Sequence, residues 1–438
     1  MNLTRRSALL STLFGTGYVG LRALATGLPA SFLLNPRKAF ADPTPACMTA
    51  TKAQYVIFQT SGSGDPINAS CPGTYADPNI VHPQEWQAGT PLTLAGQATK
   101  AAAPWAMLPQ TILDQTQFWH VMTSTPIHPK EPEVLQLMGA TSGQANEMFP
   151  SILAKALAPC LGTAQTQPLS VGALSPSETL LYGGSPLPTI PPTALRATLA
   201  NPTGPITQLQ KLRDATMNDL YDLYKNGASP AQQQFVDSLV TSQQQLRGIE
   251  LGLLNALSGI KDNSPASQVT AAVTLIQMKV SPVIAIHIPF GGDNHRDIGL
   301  ATEISETTSG VQTIEALMQA IQTVGLGGKV MFMSLNVFGR TIGPGNTDGR
   351  QHNPNHQVSI AIGSTLKGGV YGAVAPTSND YGATAMDSKT GAGNASGDIQ
   401  AVDTLAAWAM TMMSAVGADP TVLTSPAETA TSVTAAVA

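Results

Sequence analysis

The sequence predicts an α/β fold: a mostly parallel sheet with helices on both faces. Two observations carry this. Short β-branched runs alternate with amphipathic helical patterns along the chain. Polar residues gather just after those runs, where a parallel sheet opens its sites. The first run ends in Ser61-Gly62-Ser63-Gly64-Asp65, a Gly-rich turn of the kind that follows such a strand.

The elements follow in order. Residues 42–52 read as a linker. Gln54 to Thr60 (QYVIFQT) is the first strand, and Phe118 to Met122 is the next, after a loop rich in Pro. Residues 185–205 are Pro-rich and read as a surface loop. Ser229-Pro230 and Ser264-Pro265 each place Ser at an N-cap and Pro at the first helical position. After the second, Val269, Val273, Ile276 and Val280 share one helical face, and Pro282 stops the helix. Val283 to Ile288 (VIAIHI) is a buried strand. Val311, Ile314, Leu317, Met318, Ile321 and Val324 form an amphipathic helix that Gly325 ends. Val330 to Leu335 and Val358 to Ile362 are further strands. Val402, Leu405, Ala409, Met412 and Val416 mark a last helix. The Ala/Thr/Ser-rich tail, residues 419–438, is expected to be mobile. No internal repeat is visible, so residues 53–418 read as one domain.

Composition narrows the function classes. The chain has 438 residues and a net charge of −5, with 42% hydrophobic and only 11% charged residues. The acidic balance excludes the basic face of a nucleic-acid binder. No Gly-X-Y period exists, and three cysteines cannot staple a chain this long. Low charge with this apolar content is wrong for a highly charged disordered chain.

The first 41 residues read as an address. They hold Arg5, Arg6, Arg22, Arg37 and Lys38 and no acidic residue. Thr4-Arg5-Arg6-Ser7 precedes an apolar stretch, Ala8 to Leu21, too short to span a bilayer, which needs about 18–20 residues. Ala39-Phe40-Ala41 is a small-x-small cleavage site. The pattern is that of a twin-arginine export signal, so the expected destination is the periplasm or beyond. The translocon of that route is an expected partner. The rest is expected not to be an integral membrane protein. Cys47, Cys71 and Cys160 all lie beyond the signal, and an oxidising compartment would pair two of them and leave one thiol. Spacing does not choose the pair.

The candidate chemistry lies in loops after the strands. Asp65 and Asn68 follow the first, and His128 follows the second within Pro126-Ile127-His128-Pro129. Gly291-Gly292-Asp293-Asn294-His295 follows VIAIHI, and Val337-Phe338-Gly339-Arg340 follows the Val330 strand. Gly349-Arg350-Gln351-His352 and His356 come next. Carboxylate and imidazole in one cleft suit zinc, and carboxylate-rich sites suit magnesium, calcium or manganese. Asp293 and His295, two apart on an extended loop, point the same way and can reach one ion. An ordinary polar turn would use the same two residues. His287, inside a strand, reads as a core histidine.

This series of motifs resembles the twin-arginine-exported bacterial domain-of-unknown-function family numbered fifteen hundred and one, which is alkaline-phosphatase-like and sulfatase-like. The matching segments are Gly64-Asp65-Pro66-Ile67-Asn68, Ile127-His128-Pro129, Gly291-Gly292-Asp293-Asn294-His295, Val337-Phe338-Gly339-Arg340, Gln351-His352 and Lys367-Gly368-Gly369-Val370-Tyr371-Gly372. Three positions depart from the family pattern: Ile127 stands for a Ser, Val337 for a Glu and Gln351 for an Asp.

The resemblance implies an alkaline-phosphatase-like α/β fold. It also implies a divalent ion held by Asp65, Asp293, His295 and His352, with Arg340 and His128 as catalytic groups, Arg340 holding the anion. The reaction implied is hydrolysis of a phosphate or sulfate ester, with water, Ser63 or Thr123 as nucleophile. The three departures motivate a second reading, an inactive exported protein that binds a partner or an envelope polymer. Its partner would be an envelope component rather than a small anionic ester.

Overall fold

A computed structural model describes residues 52–130, 134, 148–163, 165–172, 180–199, 233, 256–420 and 431–438. The expected export signal, nearly all of the linker and the helix expected at Ser229-Pro230 lie outside the described residues.

The centre is a seven-stranded sheet. In chain order its strands are β1 (Tyr55–Ser61), β2 (Thr116–Val121), β3 (Leu169–Ser170), β4 (Val283–Ile286), β5 (Val330–Asn336), β6 (Gln357–Ile362) and β7 (Gly369–Tyr371). Their spatial order is β7-β2-β6-β5-β1-β4-β3. β1 lies between β4 and β5 and is parallel to both. β3 is parallel to β4, and β7 to β2. β6 is antiparallel to both its neighbours, β2 and β5. Six strands therefore run one way and β6 alone runs back, so the sheet is mostly parallel, as the alternation of elements predicts.

Helices cover both faces. The larger ones are α1 (Phe149–Leu161), α2 (Pro265–Gln277), α3 (Ala301–Thr323) and α4 (Thr404–Ala415). Side chains alternate along β1: Ile57 packs in one core with Val269 and Ile276 of α2 and Ile314 and Leu317 of α3. Val56 and Phe58 pack in the other with Phe149 and Leu153 of α1 and Trp408 and Met412 of α4. The first half of β1, Tyr55 to Phe58, is apolar on both faces because both are covered.

Local signals are used as read. The Ser264 hydroxyl accepts the Ser267 amide at 3.4 Å and caps α2. Gly325 follows α3 at φ 74°, and the next amide, of Leu326, closes on the Ile321 carbonyl at 2.9 Å. Three features differ from the expectation. The Pro-rich stretch contains a helix, Pro192–Leu199, started by its own Pro. α3 begins ten residues before its apolar pattern. Residues 431–438, expected as part of a mobile tail, pack down: Val433 and Ala436 are fully buried, and the Ala438 amide donates to the Thr365 carbonyl at 2.9 Å. Two small apolar contacts and paired backbone groups hold them despite their polar neighbours.

Candidate metal centre

The reversal of β6 decides where the site forms. The C-terminal ends of β1, β2, β4 and β5 share one edge of the sheet, and the N-terminal end of β6 joins them there. The loops after four strands and the loop before a fifth thus converge. Two glycines permit the closeness. Gly64 has φ 61°, and a Cβ there would lie 2.1 Å from the Phe338 ring. A Cβ on Gly339 would lie 2.1 Å from the His356 carbonyl oxygen.

Four expected residues meet at this edge: His128, Asp293, His295 and His352. One ligand atom from each lies within 4.8 Å of all the others. His295 Nε2 and His352 Nε2 are 2.8 Å apart. Asp293 Oδ1 is 3.2 Å from His295 Nε2 and 3.8 Å from His352 Nε2, and its Oδ2 is 3.5 Å from His128 Nε2. Two of the rings are fixed from behind. His128 Nδ1 lies 2.8 Å from the Gly62 carbonyl, and His352 Nδ1 lies 2.6 Å from the Pro126 carbonyl. A carbonyl only accepts, so each Nδ1 carries the hydrogen. In the neutral rings each Nε2 then presents a lone pair to the cluster. This is the arrangement that orients metal-ligating histidines. Burial pulls His352 below the ordinary imidazole range, against the Pro126 hydrogen bond, and Arg340, His128 and His295 pull it further. Burial thus favours the neutral ring, in which Nε2 carries no proton.

Asp293 is half-exposed, whereas Arg340, which grips it, is fully buried. Arg340 Nη2 donates to Asp293 Oδ1 at 2.7 Å and to the Ser63 carbonyl at 2.7 Å, and Nε donates to the Gly64 carbonyl. Burial pushes the Asp293 carboxyl up, but the hydrogen bond and charge of Arg340, with His128 and His295, outweigh it, so it sits below the usual carboxylate range. The guanidinium joins the loop after β1 to the loop after β4. Its donors are spent on protein groups, or in the case of Nη1 buried without a partner, rather than turned to solvent.

Asp65 is not in the cluster. It is buried beneath the loops, where its Oδ1 accepts the Gly292 amide at 2.9 Å. Burial raises its carboxyl above the usual range, against Ser61, His287, Gly292 and Arg340. It braces the loop that carries Asp293. His287 is buried among the strand ends, with its amide on Gln268 Oε1 at 2.7 Å. His356 points away from the cluster into the interior. Thr123 is buried, and Ser63 is partly exposed.

A second buried pair supports the same loops. Arg350 Nε and Nη2 meet the two carboxylate oxygens of Glu303 at 2.7 and 3.0 Å, with neither side chain exposed. Glu303 also accepts from Asn294 Nδ2 at 3.2 Å, and the Arg350 amide donates to the Asn294 carbonyl at 3.0 Å. Asp297 accepts the Thr302 and Glu303 amides at 2.8 and 2.9 Å, satisfying the start of α3. Sequence reasoning gives Arg350 no role and passes over Glu303. The available signal is small: a lone acid in the first turn of a helix, in a chain poor in charge.

Of the cysteines, Cys160 is disulfide-bonded. Cys71 is the free thiol, fully buried, and burial pushes it well above the ordinary range. Among the described residues no helix is long and apolar enough to cross a membrane. No protein-family model matches the chain, and a search of curated proteins finds no match.

Proposed function

We propose that the chain is an exported, alkaline-phosphatase-like hydrolase that holds one divalent ion on His128, Asp293, His295 and His352 and cleaves a phosphate or sulfate ester. The observation that carries this reading is the cluster of four ligand atoms within 4.8 Å, with two imidazoles anchored from behind by backbone carbonyls. Three imidazoles and one carboxylate favour zinc or a similar first-row ion over magnesium or calcium, which prefer oxygen donors. A bound ion would polarise the ester oxygens and stabilise charge gained in the reaction.

The chain's own residues set the rest. Asp293 contributes one negative charge and Arg340 one positive charge, so a divalent ion leaves the site with an excess of positive charge that draws an anionic ester. Arg340 acts from below, through Asp293, rather than on the anion. Ile127 is half-exposed beside His128 and carries no hydroxyl. Water is therefore the proposed nucleophile. Val337 is fully buried in an apolar core, so its position offers no carboxylate to the site.

Metal analysis of the purified protein, with aryl phosphate and aryl sulfate substrates, tests the reading. One equivalent of metal, with turnover lost in Asp293→Ala and His352→Ala, is expected. No bound metal and no turnover would sink it. Metal without turnover would favour the second reading, an exported binding protein, which the loss of a hydroxyl at Ile127 already supports.

A further inference from the structure

Beneath the candidate metal centre two fully buried imidazoles meet. His120 of β2 and His356, just before β6, approach Nδ1 to Nε2 at 2.8 Å, with their rings within 5° of parallel. The direction of this hydrogen bond is fixed from one end. His120 Nε2 lies 2.9 Å from the Pro72 carbonyl, which only accepts, so Nε2 carries the hydrogen. In the neutral ring Nδ1 is then an acceptor, and His356 Nε2–H must donate to it. His356 Nδ1 becomes an acceptor in turn and takes a hydrogen from Asn68 Nδ2 at 3.3 Å. The other Asn68 amide hydrogen goes to the Arg340 carbonyl at 2.7 Å, and Asn68 Oδ1 accepts the Arg340 amide at 2.9 Å.

Every hydrogen in the chain Pro72–His120–His356–Asn68–Arg340 is thereby assigned. No link can reverse without setting two donors or two lone pairs face to face. An added proton has no acceptor waiting for it. Burial holds both imidazoles down, His120 at about 4 despite the Pro72 carbonyl, and His356 well below its ordinary range with His120 adding to the effect. The titratable group that each ring faces is the other ring; Arg340 stands beyond Asn68.

We infer that His120, His356 and Asn68 form a one-directional latch that grips both backbone polar groups of Arg340 and so positions its guanidinium against Asp293. These are positioning residues. Their effect on the metal centre rests on the proposed function, but the latch itself does not. Asn68 is the link: it holds the Arg340 backbone while the Arg340 side chain holds Asp293 Oδ1. Asn68 thus has a reason to follow Asp65 by three residues that is separate from metal ligation.

The test compares wild-type chain with His356→Leu and His356→Gln by cobalt(II) titration near neutral pH, read by visible absorption. Neither change touches a ligand or alters the charge of a neutral ring. Gln can accept from Asn68 through Oε1 and donate to His120 through Nε2, keeping the direction; Leu can do neither. Cobalt affinity is expected to fall about tenfold or more in folded His356→Leu and to be largely kept in His356→Gln, in line with losses of orienting partners elsewhere. A folded Leu variant that binds cobalt like wild type overturns the latch, as does a Gln variant that loses as much as Leu. If His356→Leu does not fold, nitrogen NMR of wild-type imidazoles decides: Nε2–H on both rings is expected, and Nδ1–H on either overturns the proposal. If wild type binds no cobalt, the metal reading fails separately. The latch is then judged by hydrogen exchange at Arg340 Nε–H: faster exchange in His356→Leu with His356→Gln close to wild type is expected, and equal rates in all three, or a Gln variant as fast as Leu, overturn it.

Discussion

Glu303 and Arg350 face each other as a two-point ion pair in which neither side chain is exposed. Each sits on a different support of the candidate centre: Glu303 opens α3 beneath the loop of Asp293 and His295, and Arg350 precedes His352 by two residues. The pair therefore holds two ligand-bearing loops in register with each other.

Breaking one half strands a buried charge. Glu303→Ala is expected to cost about 3–5 kcal/mol of stability. Glu303→Leu combined with Arg350→Met should cost less than either single change implies, because no unpaired charge remains. Urea unfolding of the singles and the double checks this, and simple additivity would contradict it.

Acid should weaken the fold through His120. Its folded value is about 4, against about 6.5 for an unperturbed imidazole. The unfolded chain therefore binds the proton first. The contribution is fully present above about pH 6.5 and is lost as pH falls towards about 4. His120 alone accounts for about 3 kcal/mol over that window. His82, held at about 4 by burial, acts in the same sense. Denaturant midpoints measured between these limits should drop with falling pH, and His120→Gln should flatten the slope.

Metal affinity should itself fall with acid, because the three imidazole ligands must be unprotonated to bind. Burial holds His352 below the ordinary imidazole range, which favours its neutral, metal-binding form. Chelation of metal-loaded protein should lower the melting temperature; at free metal near a hundred times Kd the stabilisation is about 2.7 kcal/mol. An unchanged melting curve with and without chelator would remove the ion from the folded state.

Cys71 should be silent in the native protein. It is buried and its thiol is held well above the ordinary range, so thiolate is scarce and access is closed. A thiol reagent should find no native thiol at Cys71 and should find it on unfolding without reductant. Rapid native labelling at Cys71 would contradict its burial.

The strands were legible because their two covered faces leave unbroken apolar runs, as in VIAIHI and the Val330 strand. α2 and the end of α3 were legible from Ser264-Pro265 and Gly325. The start of α3 was not: Glu303, Thr307 and Gly310 are buried there, and buried polar or tiny residues leave no apolar stripe. α1 was missed, with Pro159 inside its last turn. β3 and β7 are too short to leave a pattern.

At the site, Asp293, His295 and His352 were read as ligands, and the structure brings them together with His128, which was read as catalytic. Asp65 was read with them and lies apart. The difference is one of direction: sequence places a residue in a loop but not above or below it. The His120–His356 contact joins distant residues through the reversal of β6, and the Glu303–Arg350 pair joins the start of α3 to the loop after β5; no local pattern announces either.

The position of β1 has a mechanical consequence. The described chain enters the sheet at a middle strand, paired along its length with parallel β5 and over Val56–Gln59 with parallel β4. A pull on the residues before Tyr55 runs along that strand, so its hydrogen bonds bear the load together in shear instead of opening one at a time. An edge strand would peel; this one would not. A pull on the leading end of the described chain is thus carried into the middle of the sheet.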